Sequence, residues 1–270
     1  MLDGWRFYFN HIIMSIVTYH TSNRVAYITL NRPEKRNAMN RELVDLLSGA
    51  FTKASEDQEA KVIVLKANGK VFSAGADLGY LQQLQHNTYN DNLLDSNSLK
   101  GLFQQVYTHN KIVIAQVQGH AIAGGCGLAT VCDFNITQPE AKFGYSEVRI
   151  GFVPAIVMVY LLRRVGEGRA RELLVSGNLI SADQAANWGL VNQVVPAEEL
   201  ESHVNEFAQS LVRNNSFESM QRTKAMIAQV QEMRLEDALD FAADHNARAR
   251  STEDCKRGIK AFLDKEPLEW

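Results

Sequence analysis

Cysteine is scarce in this chain: Cys126, Cys132 and Cys255 are the only three among 270 residues. An odd number without paired spacing argues against a disulfide framework and against a structural zinc site, and it suits a reducing compartment, so a cytoplasmic location and no bound metal are expected. Long hydrophobic runs are also missing. The longest uncharged stretch near the front, 7–23, is interrupted by Asn10, His11 and His20, too polar for a membrane span. The first thirteen residues carry Asp3 and lack a small-residue cleavage site, so they do not read as a secretory signal. Nor is there an excess of one charge. With 28 Lys and Arg against 31 Asp and Glu, no strong field would draw in nucleic acid or an anionic membrane, and neither is expected as a partner. What is present is a residue mix that is 46% hydrophobic and 22% charged, enough apolar side chain for one large domain with a possible appendage.

Met14 opens a run that alternates like strands, so residues 1–13 are expected to be an extension outside the fold. Ser15–His20 and Arg24–Leu30 read as a hairpin around Thr21-Ser22-Asn23. Asn40 is placed to cap a helix in which Leu43, Leu47, Ala50, Phe51 and Ala54 recur at helical spacing. Lys61–Lys66 reads as a short buried strand, Leu99–His109 as a helix and Ile112–Val117 as a strand. Strand, glycine turn and helix return over Ala115–Cys132, followed by a strand at Asp133–Thr137. This repetition predicts an α/β spiral of stacked ββα units over residues 14–196. Beyond Pro196 the pattern is nearly pure helix, a 197–270 subdomain too polar to form a core alone. The stretch Gln82–Ser98, rich in Asn and Gln, reads as an exposed loop or a lid.

Two glycine-containing loops each follow a buried strand and open a helix: Phe72-Ser73-Ala74-Gly75-Ala76-Asp77-Leu78 and Gly119 to Gly127. Small residues at a helix start let an anionic oxygen approach unpaired backbone N–H groups, and two such loops could supply a pair of donors to a thioester enolate or a tetrahedral intermediate. A P-loop would need Lys and Ser or Thr where Gly125 and Cys126 stand, and the G-x-G-x-x-G spacing fails as well. Tight turning and close helix packing would explain the glycines equally well, so the loops need context. That context is the segment Phe143 to Pro154, where Glu147 sits between a glycine turn and an apolar run. Cys126 and Cys132 read as core residues, His120 as a packing or hydrogen-bonded residue, and Asp77 as a helix cap.

Together with NRPEKRNAM, FSAGADL, IAGGCGLATVCD, FGYSEVRIGFVP, LISADQAANWGLVNQVV and RGIKAFLDK, these features resemble the crotonase superfamily of enoyl-CoA hydratases and isomerases, from Met14 to the C-terminus. The resemblance implies a crotonase-like spiral with a C-terminal helical subdomain, an acyl-CoA thioester substrate, and no cofactor beyond the coenzyme A that the substrate carries. It implies that the N–H groups of Ala76 and Gly124 form an oxyanion hole and that Glu147 moves the proton. It implies that Lys35, Arg36, Ala38 and Ala74 line the coenzyme A path, and that Phe262 and Lys265 reach it from a neighbouring subunit. It further implies that the helical tail builds a homotrimer or homohexamer.

The chain departs from the hydratase pattern at Gly127, where those relatives carry a second glutamate, and at Pro154 to Leu161, where they have a glycine-rich loop. Glycine at 127 is expected to leave space in the acyl pocket and to remove a charge from it. One carboxylate suffices to move a proton between carbons, whereas hydration needs an oriented water as well. A thioester hydrolase and a non-enzymatic binding member of the fold are the rival readings.

Overall fold

The computed structural model describes residues 15–270, so the extension expected at 1–13 lies outside the described residues. The chain enters through β1 (Val17–Ser22) and β2 (Val25–Leu30), an antiparallel hairpin. Its turn is Asn23-Arg24, with φ of 49° and 64°, and not the three residues expected. Two consecutive positive φ values give a turn whose twist matches that of the paired strands, which is why strand pairing continues through Ser22.

Asn40 accepts from Leu43 N–H and starts α1 (Arg41–Glu56), whose buried stripe is Leu43, Val44, Leu47, Ala50, Phe51 and Ala54. The spiral follows in repeats. β3 (Val62–Ala67) and β4 (Val71–Ser73) lead to α2 (Leu78–Leu84) and α3 (Tyr89–Tyr107). β5 (Ile112–Val117) and β6 (His120–Ile122) lead to α4 (Gly124–Thr130). β7 (Phe134–Thr137) and β8 (Lys142–Gly144) lead to α5 (Ala155–Ser176), which is broken at Gly166. β9 (Leu179–Ser181), α6 (Ala182–Asn187) and β10 (Gln193–Val194) close the series.

Each repeat adds one strand to each of two sheets, ordered β1-β2-β3-β5-β7-β10 and β4-β6-β8-β9. The β2-β3-β5-β7-β10 and β4-β6-β8 pairings are all parallel, so the chain advances by one strand spacing per turn. β5 is buried along its whole length, as expected of a parallel strand covered on both faces. The stretch 82–98 is exposed as expected, but it is mostly the start of α3 and not a loop. Thr88 and Asp91 form a reciprocal capping box there, and the two orphan amide donors it satisfies outweigh the polar composition of the first two turns.

The tail consists of α7 (Leu200–Asn214), α8 (Phe217–Val230), α9 (Leu235–Arg250) and α10 (Glu253–Asp264). Leu200, Val204, Ala208 and Val212 of α7 pack on the outer face of the large sheet against Val25, Val62, Val64, Ile114 and Ile136. α8 is pinned by one cation. Buried Lys224 donates to the carbonyls of Val106 (3.3 Å) and Lys111 (3.0 Å) and to Asp133 Oδ2 (2.7 Å), which also accepts from Val113 N–H. α9 and α10 leave Leu235, Leu239, Ile259, Phe262 and Leu263 exposed. Among the described residues no helix is long and apolar enough to cross a membrane.

Removing one member of a buried ion pair costs about 3–5 kcal/mol because the other charge is stranded. Lys224→Met is therefore expected to lower the melting temperature by about 10 °C. A thermal melt followed by circular dichroism checks this, and a shift below about 2 °C would show that the pair does not anchor α8.

Candidate active site

The site forms where two turns of the spiral touch through backbone. Gly75 has φ of +84°, and a Cβ there would lie 2.8 Å from Ala123 Cβ, 3.0 Å from the Ile122 carbonyl and 3.5 Å from Gly124 N. Only glycine permits both the left-handed turn and this approach, so the FSAGADL loop comes to lie directly beside the start of α4. Ala123 supplies the other half. At φ 53° and ψ −128° it is in a sparsely populated region, which costs about 1–3 kcal/mol, and its own N–H is held by the Gly144 carbonyl at 2.7 Å. That twist separates the directions of successive amides.

The segment in front is fixed by Asn37, which is fully buried. Its side chain accepts from Arg32 N–H and donates to the carbonyls of Asn68 and Val71. Met39 N–H donates to Gly75 (2.7 Å) and Asp77 N–H donates to Met39 (2.9 Å), so Ala76 is gripped on both sides. Asp77 does cap α2, accepting from Gly79 and Tyr80 N–H, and it also pairs with Arg32 at 2.8 Å. Among the described residues no acceptor takes the N–H of Ala76 or of Gly124, and both residues line one cavity of about 340 Å³.

Glu147 faces the same cavity. It opens a short 3-10 turn, Glu147–Ile150, which Gly151 closes in the left-handed region and which begins two residues after β8. Beneath it the buried Tyr145 hydroxyl meets Thr130 Oγ1 at 2.8 Å, tying β8 to α4. Arg149 does not pair with Glu147; it donates to Asn178 at 2.8 Å. Glu147 Oε2 is buried with no hydrogen-bond partner among the described residues, and burial raises the carboxyl pKa above its ordinary value. An unpaired buried carboxylate oxygen is costly in a folded chain, and such groups concentrate where chemistry is done.

The chain belongs to the enoyl-CoA hydratase/isomerase family. Its sequence matches the model of that family over residues 20–270. It is 41% identical over 243 residues to a Thermus thermophilus protein named for enoyl-CoA hydratase activity, covering 90% of this chain and 96% of that one. A crotonyl-CoA hydratase of Syntrophomonas wolfei is 33% identical over 248 residues, with 90% and 92% covered. The crystal structure of an enoyl-CoA hydratase from Mycobacterium smegmatis superposes with a TM-score of 0.89 at 29% identity, covering 95% of this chain and 99% of that one. The fold is thus the crotonase spiral, and the family is one of enzymes.

Of the residues expected from the family resemblance, Ala74, Ala76, Gly124 and Glu147 line the one cavity. Lys35 and Arg36 are exposed on the preceding segment, and Ala38 is buried with its carbonyl accepting from Arg32. Phe262 is 83% exposed on α10, and neither it nor Lys265 lines the cavity of its own chain. His120 is exposed and accepts from Lys142 N–H. Cys126 and Cys132 are buried, their thiol pKa values pushed up to about 12 by burial. Sequence reasoning missed Arg41, Leu81, Leu84 and Asp95, all of which line the cavity, whereas Ile156 belongs to the Pro154 to Leu161 segment it had singled out. The capping box of Thr88 was the signal that would have extended α3 to Asp95.

One expectation is overturned. Gly127 leaves no space in the pocket, because a Cβ there would lie 2.3 Å from Val157 Cγ1 and 2.9 Å from Phe103 Cε2. A larger cleft, about 790 Å³, opens between α8 and the core. Its charges are already engaged in internal pairs, Lys224 with Asp133 and Arg164 with the carbonyls of Cys132 and Asp133.

With its pKa raised, Glu147 binds a proton more tightly in the folded than in the unfolded chain. Its contribution is favourable below the ordinary carboxylate range and is lost as pH rises through the folded value. Glu147→Gln should accordingly melt above the parent at about pH 8, with the gap closing toward about pH 4. Equal melting temperatures across that range would show that the carboxylate carries no burial penalty.

Proposed function

We propose that this protein transfers a proton at the carbon next to the carbonyl of an enoyl-CoA thioester, with Glu147 as the acid-base residue. The carrying observation is the meeting in one cavity of a buried Glu147 oxygen with two amide donors, Ala76 and Gly124, all three without a partner among the described residues. Two such donors bind the thioester oxygen more strongly as negative charge accumulates on it, which acidifies the C2 proton. A carboxyl whose pKa is raised by burial holds a proton more readily than a solvated one, which suits it to both give and take that proton. Shifting a double bond between the β,γ and α,β positions then needs only Glu147. Water addition needs, in addition, a water held by the same carboxylate.

Coenzyme A arrives with the substrate, and the reading calls for no other cofactor. Ala74 and the NRPEKRNAM segment would carry its nucleotide end, with Lys35 and Arg36 offering exposed cations to phosphate. Phe262 and Lys265 would reach a neighbouring subunit's substrate, and the unburied apolar residues of α9 and α10 support assembly into a homotrimer or homohexamer. A reducing cytosol suits the three free thiols.

Glu147→Gln should lower turnover of enoyl-CoA esters by about 100- to 10,000-fold while binding a saturated acyl-CoA as the parent does. Isomerisation of 3-enoyl-CoA and hydration of 2-enoyl-CoA, assayed side by side, measure it; near-parental rates would remove Glu147 from the mechanism. In sedimentation the full chain should run at three or six times its 30.3 kDa mass. A monomer would refute the proposed role of the tail.

A further inference from the structure

We infer that Val157 is the specificity-determining residue for the acyl group, holding the volume that a side chain at position 127 would otherwise occupy and walling the cavity with hydrocarbon there. The inference rests on the reading of this cavity as an acyl-CoA site. Gly127 lies three residues beyond Gly124 on α4, about 4.5 Å further along the helix axis, roughly the span from a thioester carbonyl to the third or fourth acyl carbon. Around Gly127 the packing is closed. A Cβ would overlap Val157 Cγ1 at 2.3 Å, Phe103 Cε2 at 2.9 Å and Val157 Cβ at 3.2 Å, all inside normal contact.

The two neighbours differ in what they can yield. Phe103 is fully buried in the core and meets Tyr160 edge to face, with ring centroids 6.4 Å apart. Val157 is only 4% exposed but borders the cavity, so the cavity is the direction in which it can move. Positions 127 and 157 therefore share one volume. A larger residue at 127 displaces Val157 into the acyl space, and a smaller one at 157 enlarges that space. α4 in turn cannot deliver a functional group past Val157. The acyl groups that fit are hydrocarbon, without a branch or polar substituent at the carbons that pass Val157, since Ala155, Ile156 and Val157 form the adjoining wall.

The test is a double-mutant cycle on the full-length protein, read by affinity for two saturated, unreactive probes, butyryl-CoA and the 3-methyl-branched isovaleryl-CoA, and by melting temperature. Val157→Ala should improve the affinity for the branched probe relative to the straight one by about tenfold, the lower end of what a methylene-sized change in a hydrophobic pocket produces. Gly127→Ala should shift the ratio the other way and lower the melting temperature by about 5 °C through overpacking. The double variant should return the ratio to within about threefold of the parent and melt above Gly127→Ala, because adjacent sites are not additive. Unchanged probe ratios in both single variants, purely additive melting shifts, or no binding of either probe by the parent would each overturn the inference. Loss of the functional reading is separable. Shifted affinities with no turnover of any enoyl-CoA would leave Val157 as the acyl selector and remove the proposed reaction.

Discussion

The site depends on a contact between backbones. Successive turns of the spiral must approach closely enough for the FSAGADL loop and the start of α4 to lie edge to edge, and side chains are excluded from that seam. Gly75 is one such point. Gly119 is a second, since a Cβ there would sit 2.0 Å from the Lys70 carbonyl. A single methyl at either place would push two strands of different repeats apart, and the amides of Ala76 and Gly124 would no longer border one cavity. The hydrogen bonds of Asn37 and Met39 then hold the spacing that the glycines permit.

Around that seam the molecule carries several unfavourable terms, and they cluster. Ala123 is held in a strained conformation, Glu147 Oε2 is buried without a partner, and the N–H groups of Ala76 and Gly124 have no acceptor among the described residues. The strained Ala123 backbone and the buried Glu147 oxygen each lower stability. The large, mostly parallel sheet and the α1 and α7 faces packed against it provide the apolar burial that offsets them. Lys224, by joining α8 to Asp133 and to two carbonyls, carries the same rigid frame into the tail.

The absence of a side chain at Gly127 leaves no void in α4, because Val157 and Phe103 close over it. One end of the cavity is therefore shaped by α5 and α3, while the end that holds Ala76, Gly124 and Glu147 is shaped by the loops before α2 and α4 and by the turn after β8. The wall formed by α5 and α3 and the meeting of Ala76, Gly124 and Glu147 thus draw on different elements of the fold.

Much of the fold was legible in one dimension. Helical spacing marked α1, the Asn40 cap its start, and the recurrence of strand, strand and helix the spiral, because local propensity and hydrophobic period agree there with the tertiary outcome. Ordered motifs also singled out Ala76, Gly124 and Glu147. Sequence alone misread 82–98, where a capping box overrode a polar composition, and misread Gly127, whose neighbours lie 24 and 30 residues away along the chain. Whether a glycine leaves room or is already filled is a property of atoms brought together by packing. So is the isolation of the Glu147 carboxylate, since Arg149, two residues on, was free to pair with it until the turn aimed its guanidinium at Asn178. Types and order of residues determined which chemistry was available; the tertiary structure decided which groups meet, because distance and burial arise only when separate turns of the spiral close on one another.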